Sequence, residues 1–194
     1  MVPAALSPRP RVEAIVIGGS AGSIAALEEL MPGLAADGPP VLAVIHLSPS
    51  SPSYLTEIFQ ARCPMRVCEA ESSQPIERGV FYFAPANYHL LVEPDRRCAL
   101  SVEPPLHFSR PSIDVLFESA ADVYGAGLVG IVLSGANLDG AQGLRVIADA
   151  GGLVLVQDPA TAKVRAMPEA ALAAVPGARV LPVAAMLGVL RAVG

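Results

Sequence analysis

Four stretches of this chain are short apolar runs: Val12–Ile17 (interrupted only by Glu13), Val41–Ile45, Leu128–Leu133 and Leu153–Val156. A strand with one face in water alternates apolar and polar residues, whereas a strand covered on both faces does not. Runs this uniform predict strands of a parallel sheet with helices packed on each side. The segments between them agree. Ile24, Leu27, Met31 and Leu34 recur at helical spacing after the first run, and Pro32-Gly33 mark the end of that helix. After the second run, Ser51-Pro52 reads as an N-cap followed by proline in the first turn, with Tyr54, Leu55, Ile58 and Phe59 as the buried stripe. Ile113, Leu116, Phe117, Ala120 and Tyr124 share one face of a helix that begins near Ser112 and stops at Gly125. A helix from about Asp139 to Gly151-Gly152, another over Ala166–Val175, a short strand at Val180–Leu181 and a closing helix over Ala184–Val193 complete the alternation. The expected fold is α/β, a doubly wound and mostly parallel sheet with helices on both faces.

The middle of the chain departs from this rhythm. Val80–Ala84, Tyr88–Val92 and Cys98–Val102 are short, alternating and separated by turn residues, which predicts an antiparallel hairpin or meander on the sheet edge. No repeat or domain break is visible, so residues 12–194 are expected to form one domain behind a disordered lead at residues 1–11 that lacks the apolar stretch of a signal peptide. Hydrophobic residues make up 53% of the chain and mean hydropathy is +0.51, yet no run approaches the ~18–20 apolar residues of a membrane span. A net charge of −5 argues against general attraction to nucleic acid or anionic lipid. Cys63, Cys68 and Cys98 are odd in number and lack C-x-x-C spacing, which suits reduced thiols in the cytoplasm better than disulfides or a zinc site.

Three residues carry candidate chemistry. Gly18-Gly19-Ser20-Ala21-Gly22 fits G-x-S-x-G on a strand-to-helix turn, where small neighbours let a serine project and the helix start offers free N–H groups to an oxyanion. The same residues also suit a plain glycine-rich turn with Ser20 or Ser23 capping the helix. His46 closes the second strand, as a base or as a histidine bonded to a loop. Asp139 ends the loop after Leu128–Leu133, where aspartate is also a favoured helix N-cap. Together the three are more specific than apart. Each lies beyond the carboxyl end of a predicted parallel strand, and in an open α/β sheet those ends share one edge and one crevice. There His46 could take the proton of Ser20 while Asp139 orients the imidazole. The order Ser–His–Asp differs from that of the α/β-hydrolases. A dinucleotide site fits poorly, because the glycine spacing fails and no acidic residue closes the second strand. His89 reads as an exposed hairpin residue, and His107, beside Pro104-Pro105, as a residue of the cleft mouth with no partner to be found in the sequence.

At these residues the chain resembles the catalytic domain of the CheB-type chemotaxis protein-glutamate methylesterases. The resemblance runs through Ile17–Gly22, Ile45-His46-Leu47, Phe83-Ala84-Pro85 with His89, Arg110–Phe117, Leu133-Ser134-Gly135 with Asp139–Gly143, and Ala166–Ala170. It implies a serine hydrolase that removes methyl esters from receptor glutamates and deamidates receptor glutamines. Ser20 would be the nucleophile, His46 the base and Asp139 the orienting acid, with Ala21 and the Ser134–Asn137 loop, Ala136 included, as oxyanion donors or cleft wall. No metal or organic cofactor is implied, and the partner is a methylated chemoreceptor or related signalling protein. The family usually has glycine where Ser23 stands, and Met-Gly where Ala136-Asn137 stand. Its classical members also carry an N-terminal receiver domain, for which the ten or so residues before the first strand leave no room; a separate regulator is then expected. The alternative is a non-catalytic binding module of the same fold.

Overall fold

The computed structural model describes residues 11–46 and 54–193. The elements in chain order are β1 (Ala14–Gly19), α1 (Ser23–Leu30), β2 (Val41–Ile45), α2 (Leu55–Gln60), β3 (Arg66–Glu69), β4 (Val80–Phe83), β5 (His89–Val92), β6 (Cys98–Ser101), α3 (Ile113–Tyr124), β7 (Leu128–Val132), α4 (Ala141–Asp149), β8 (Leu153–Gln157), α5 (Ala166–Ala174), β9 (Arg179–Leu181) and α6 (Val183–Val193). Seven strands form one sheet in the order β3-β4-β2-β1-β7-β8-β9, with every pairing parallel. Among the described residues no helix is long and apolar enough to cross a membrane.

The uniform apolar runs have the expected cause. All residues of β1 and β2 are buried, and successive side chains point to opposite faces. Ala14 and Val16 join a core with α3, α4 and α5, while Ile15 and Ile17 join a second core with α1, α2 and α6. The expected stripe on α2 is narrower. Leu55 and Phe59, four residues apart, are buried, whereas Tyr54 and Ile58 are exposed. A helix of six residues touches the sheet along one row, and its neighbouring row faces out. The predicted N-cap at Ser51-Pro52 and residues 1–10 of the expected lead lie outside the described residues.

The middle of the chain corrects one expectation. Val80–Phe83 is not part of an antiparallel meander: it is fully buried and pairs in parallel with both β2 and β3. The Val-Phe-Tyr-Phe run is apolar on both faces because both faces are covered, and the turn at Pro85 gave it a hairpin look. β3 is an edge strand with charged ends and no apolar run to signal it. The antiparallel pair is β5–β6 alone, a separate two-stranded sheet. It packs on α3, where the Val92 N–H donates to Ser119 Oγ at 3.1 Å.

α3 and α4 lie side by side, and Gly143 sets how closely. A Cβ at this position would sit 2.5 Å from Phe117 Cβ and 3.1 Å from the Asp114 backbone. The Gly143 N–H donates to Asp114 Oδ1 at 2.7 Å. This approach presses the loop before α4 onto the first turn of α3. Gly143→Val is expected to destabilise the fold by roughly 1–3 kcal/mol through overpacking. The check is a lower urea midpoint at unchanged m-value; an unchanged midpoint would show that the two helices can part without cost.

Candidate active site

Because β1 lies between β2 and β7, the residues that follow these three strands meet at one edge. Ser20 follows β1. Its N–H donates to Ser134 O at 2.9 Å, and its carbonyl accepts from Ser23 N at 3.0 Å and Ser23 Oγ at 2.6 Å. Gly22, with φ of 87°, takes the left-handed conformation that lets the turn enter α1. Ser134 is fully buried; its Oγ donates to Ala21 O at 2.7 Å and accepts from Val164 N at 2.9 Å. One hydroxyl thus ties the serine turn to two other loops. Among the described residues, the N–H groups of Ala21, Gly22, Ala136 and Asn137 donate no hydrogen bond, which suits an oxyanion formed between the two loops. Ala136 itself is exposed. The loop is backed by the next segment, with Gly135 N donating to Val164 O at 3.1 Å and Met167 N to Gly135 O at 2.9 Å.

His46 follows β2, and its N–H donates to Gly19 O at 2.9 Å. Its Nε2 lies 2.9 Å from Asp139 Oδ2. That approach is short but bent, outside the angular range of a good hydrogen bond. Asp139 has no exposed surface. Its carboxylate accepts from Ser112 Oγ at 2.8 Å, Ile113 N at 2.7 Å and Asp114 N at 3.0 Å. It therefore caps the N-terminus of α3 from across the fold rather than that of its own helix, which starts behind Gly140. Burial alone would raise the carboxyl's pKa; contact with His46 and hydrogen bonds from Ile113, Asp114 and Ser112 outweigh it and bring it below the ordinary aspartate value. The helix dipole acts in the same direction.

The other ring nitrogen of His46 meets Asn137, a contact that no local sequence pattern signals. Asn137 Nδ2 lies 3.4 Å from His46 Nδ1 and 3.4 Å from Ser109 Oγ, and Asn137 Oδ1 accepts from Asp139 N at 3.3 Å. Among the described residues, Ser20 Oγ makes no direct hydrogen bond with His46. Such contacts are often loose before substrate binds.

Two histidines sit differently from expectation. His89 is not an exposed hairpin residue but is buried: Nδ1 accepts from Ser112 N at 3.1 Å, and Nε2 faces Pro104 O at 3.2 Å. It serves the same helix start that Asp139 caps. His107 does have a partner, with Nε2 3.3 Å from Asp114 Oδ2. Asp114 is buried, and that burial raises its carboxyl above the usual value, helped by the nearby Asp139 charge and opposed by the Gly143 N–H and His107. Ser112, in front of an apolar helical stripe, carries the signal of an N-cap, but nothing local reveals that its hydroxyl reaches Asp139.

A carboxyl held below its unfolded value contributes stability above pH ~4 and loses it as the pH falls through the lowered value. The gap in Tm between wild type and Asp139→Asn is therefore expected to be widest near neutrality and to narrow below pH ~4. Thermal melts across pH check this, and a gap independent of pH would mean that the ionised carboxylate contributes nothing to the fold.

Comparison with known proteins gives a consistent result. The CheB methylesterase family model matches residues 15–190. A Leptospira interrogans protein, provisionally named protein-glutamate methylesterase/protein-glutamine glutaminase, is 47% identical over 163 residues, covering 84% of each chain. A protein of Symbiobacterium thermophilum with the same name is 37% identical over 182 residues, 93% of this chain and 50% of that protein. The crystal structure of the Thermotoga maritima CheB methylesterase catalytic domain superposes with a TM-score of 0.87 at 25% identity, covering 93% of this chain and 98% of that one. A family model matched over residues 15–190 and a relative 47% identical along most of its length show that this chain belongs to the CheB methylesterase family.

Proposed function

We propose that the chain is a protein-glutamate methylesterase, also able to deamidate glutamine, with residues 12–194 as the catalytic domain and Ser20, His46 and Asp139 as the triad. The observation that carries this reading is the 2.9 Å contact between His46 Nε2 and a buried, ionised Asp139 beside the serine turn. With Nε2 facing Asp139, Nδ1 is the base. Ser20 Oγ attacks the γ-carbonyl carbon of the ester while its proton passes to His46 Nδ1. The tetrahedral oxyanion is stabilised by Ala21 N–H and by an N–H of the Ala136-Asn137 loop. Collapse of the intermediate breaks the bond to methoxide, which takes the proton from His46 and leaves as methanol. Water, deprotonated by the same nitrogen, then cleaves the acyl-serine to free glutamate. A glutamine side chain follows the same course and releases ammonia.

The rim around this edge suits a protein substrate. The contact of Asn137 with Ser109 puts two loops side by side, and next to these residues Leu138 and Phe108 are exposed. The relatives' names specify a glutamate ester and a glutamine on a protein, and we take that protein to be a methylated chemoreceptor or related signalling protein, as the resemblance to the CheB-type enzymes implies. We place the reaction in the cytoplasm, which fits three free cysteines.

Methanol release from methylated receptor cytoplasmic fragments is the direct test. Ser20→Ala is expected to abolish it, and Asp139→Asn to lower it on the order of 10³- to 10⁴-fold. Turnover by Ser20→Ala at the wild-type rate would remove Ser20 from the mechanism. Folded wild-type protein that releases nothing would favour the binding-module reading.

A further inference from the structure

One nitrogen of His46 lies against the Asp139 carboxylate, so whatever meets the other decides how the imidazole can act. The orientation of the Asn137 carboxamide follows from its partners. Asp139 N–H can only donate, so the atom 3.3 Å from it is Oδ1. That turns Nδ2 toward His46 Nδ1 and Ser109 Oγ. A carboxamide N–H pointed at Nδ1 requires a lone pair there, which leaves the imidazole proton on Nε2, facing Asp139. Both neighbours select one tautomer, the one in which Nδ1 can receive the proton of Ser20. Yet the lone pair that must receive it is already occupied.

We propose that Asn137 is a positioning residue that keeps His46 in its reactive tautomer and covers its base nitrogen until substrate docks. The inference rests on the triad reading above. Asn137 Nδ2–H and Ser20 Oγ–H compete for the same lone pair, so the carboxamide must withdraw before proton transfer. Its surroundings allow a docking protein to move it. Leu138, the next residue, is 62% exposed, and Ser109, its second acceptor, follows the fully exposed Phe108. Pressure on these two apolar side chains bears on the neighbouring Asn137 and Ser109 and draws the carboxamide off Nδ1. A small reagent that reaches Ser20 without touching the rim does not.

The test is the rate at which a small alkyl fluorophosphonate labels Ser20 in wild type, Asn137→Ala and Ser109→Ala, each checked for native circular dichroism. Asn137→Ala is expected to label faster by roughly three- to tenfold, the worth of one hydrogen bond. Ser109→Ala, which frees one end of the same carboxamide, is expected to change in the same direction. In ¹⁵N spectra the wild-type His46 should show a pyridine-type Nδ1 that moves downfield in Asn137→Ala, a change that loosened packing alone would not produce. Equal or slower labelling of folded Asn137→Ala would overturn the proposal while wild-type labelling left the triad standing. Wild-type protein that never labels would overturn the triad reading, and this proposal with it.

Discussion

The carboxylate of Asp139 is the point on which the rest of the site depends. An ionised group without exposed surface is costly unless donors surround it. Here Ser112 Oγ, two backbone N–H groups of α3 and His46 Nε2 converge on it. The same donors would otherwise be unpaired at a buried helix start. Each side of this arrangement therefore satisfies the other: the helix stabilises the charge, and the charge completes the helix. The consequence for chemistry is rigidity. A carboxylate gripped by a helix end cannot swing away from the imidazole 2.9 Å from it, which is the preorganisation that the proposed triad would require.

Reaching that geometry takes close packing elsewhere. α4 must lie against α3 for the loop that carries Asp139 to meet the first turn of α3, and Gly143 permits this by having no side chain. His89 supports the same place from the β5–β6 hairpin by accepting the N–H of Ser112. This also gives the small second sheet a purpose, since it covers α3 and supplies a histidine to its N-terminus. Ser134 does the equivalent for Ser20, the proposed nucleophile, joining its turn to the loops on either side. Three polar staples, at Asp139, His89 and Ser134, thus hold loops that the parallel strands only bring near one another.

Outside this rigid centre, the rim carries two exposed apolar side chains. Phe108 and Leu138 flank the two loops that Asn137 bridges. An enzyme whose substrate is a side chain on another protein needs such a surface, because the reacting group alone offers few contacts. The carboxamide of Asn137 lies between these exposed residues and the imidazole, which is where the proposed coupling of docking to the base would act.

Much of this was legible in the chain. The uniform apolar runs of β1, β2, β7 and β8 identified strands covered on both faces, and the positions of Ser20, His46 and Asp139 after three of them placed the site on one sheet edge. These features are local: burial on two faces removes alternation, and a serine on a tight turn needs small neighbours. What the sequence could not show is which distant groups meet. Val80–Phe83 joined the parallel sheet because β2 and β3 flank it, a pairing set by the whole topology. Asp139 capped α3 rather than α4, His89 was buried rather than exposed, and His107 found Asp114, each through a partner many residues away. Asn137 reached Nδ1 of His46 by the same rule. Patterns of burial and turns are written in neighbouring residues, whereas the direction of a buried hydrogen bond is decided only when tertiary packing brings its donor and acceptor together.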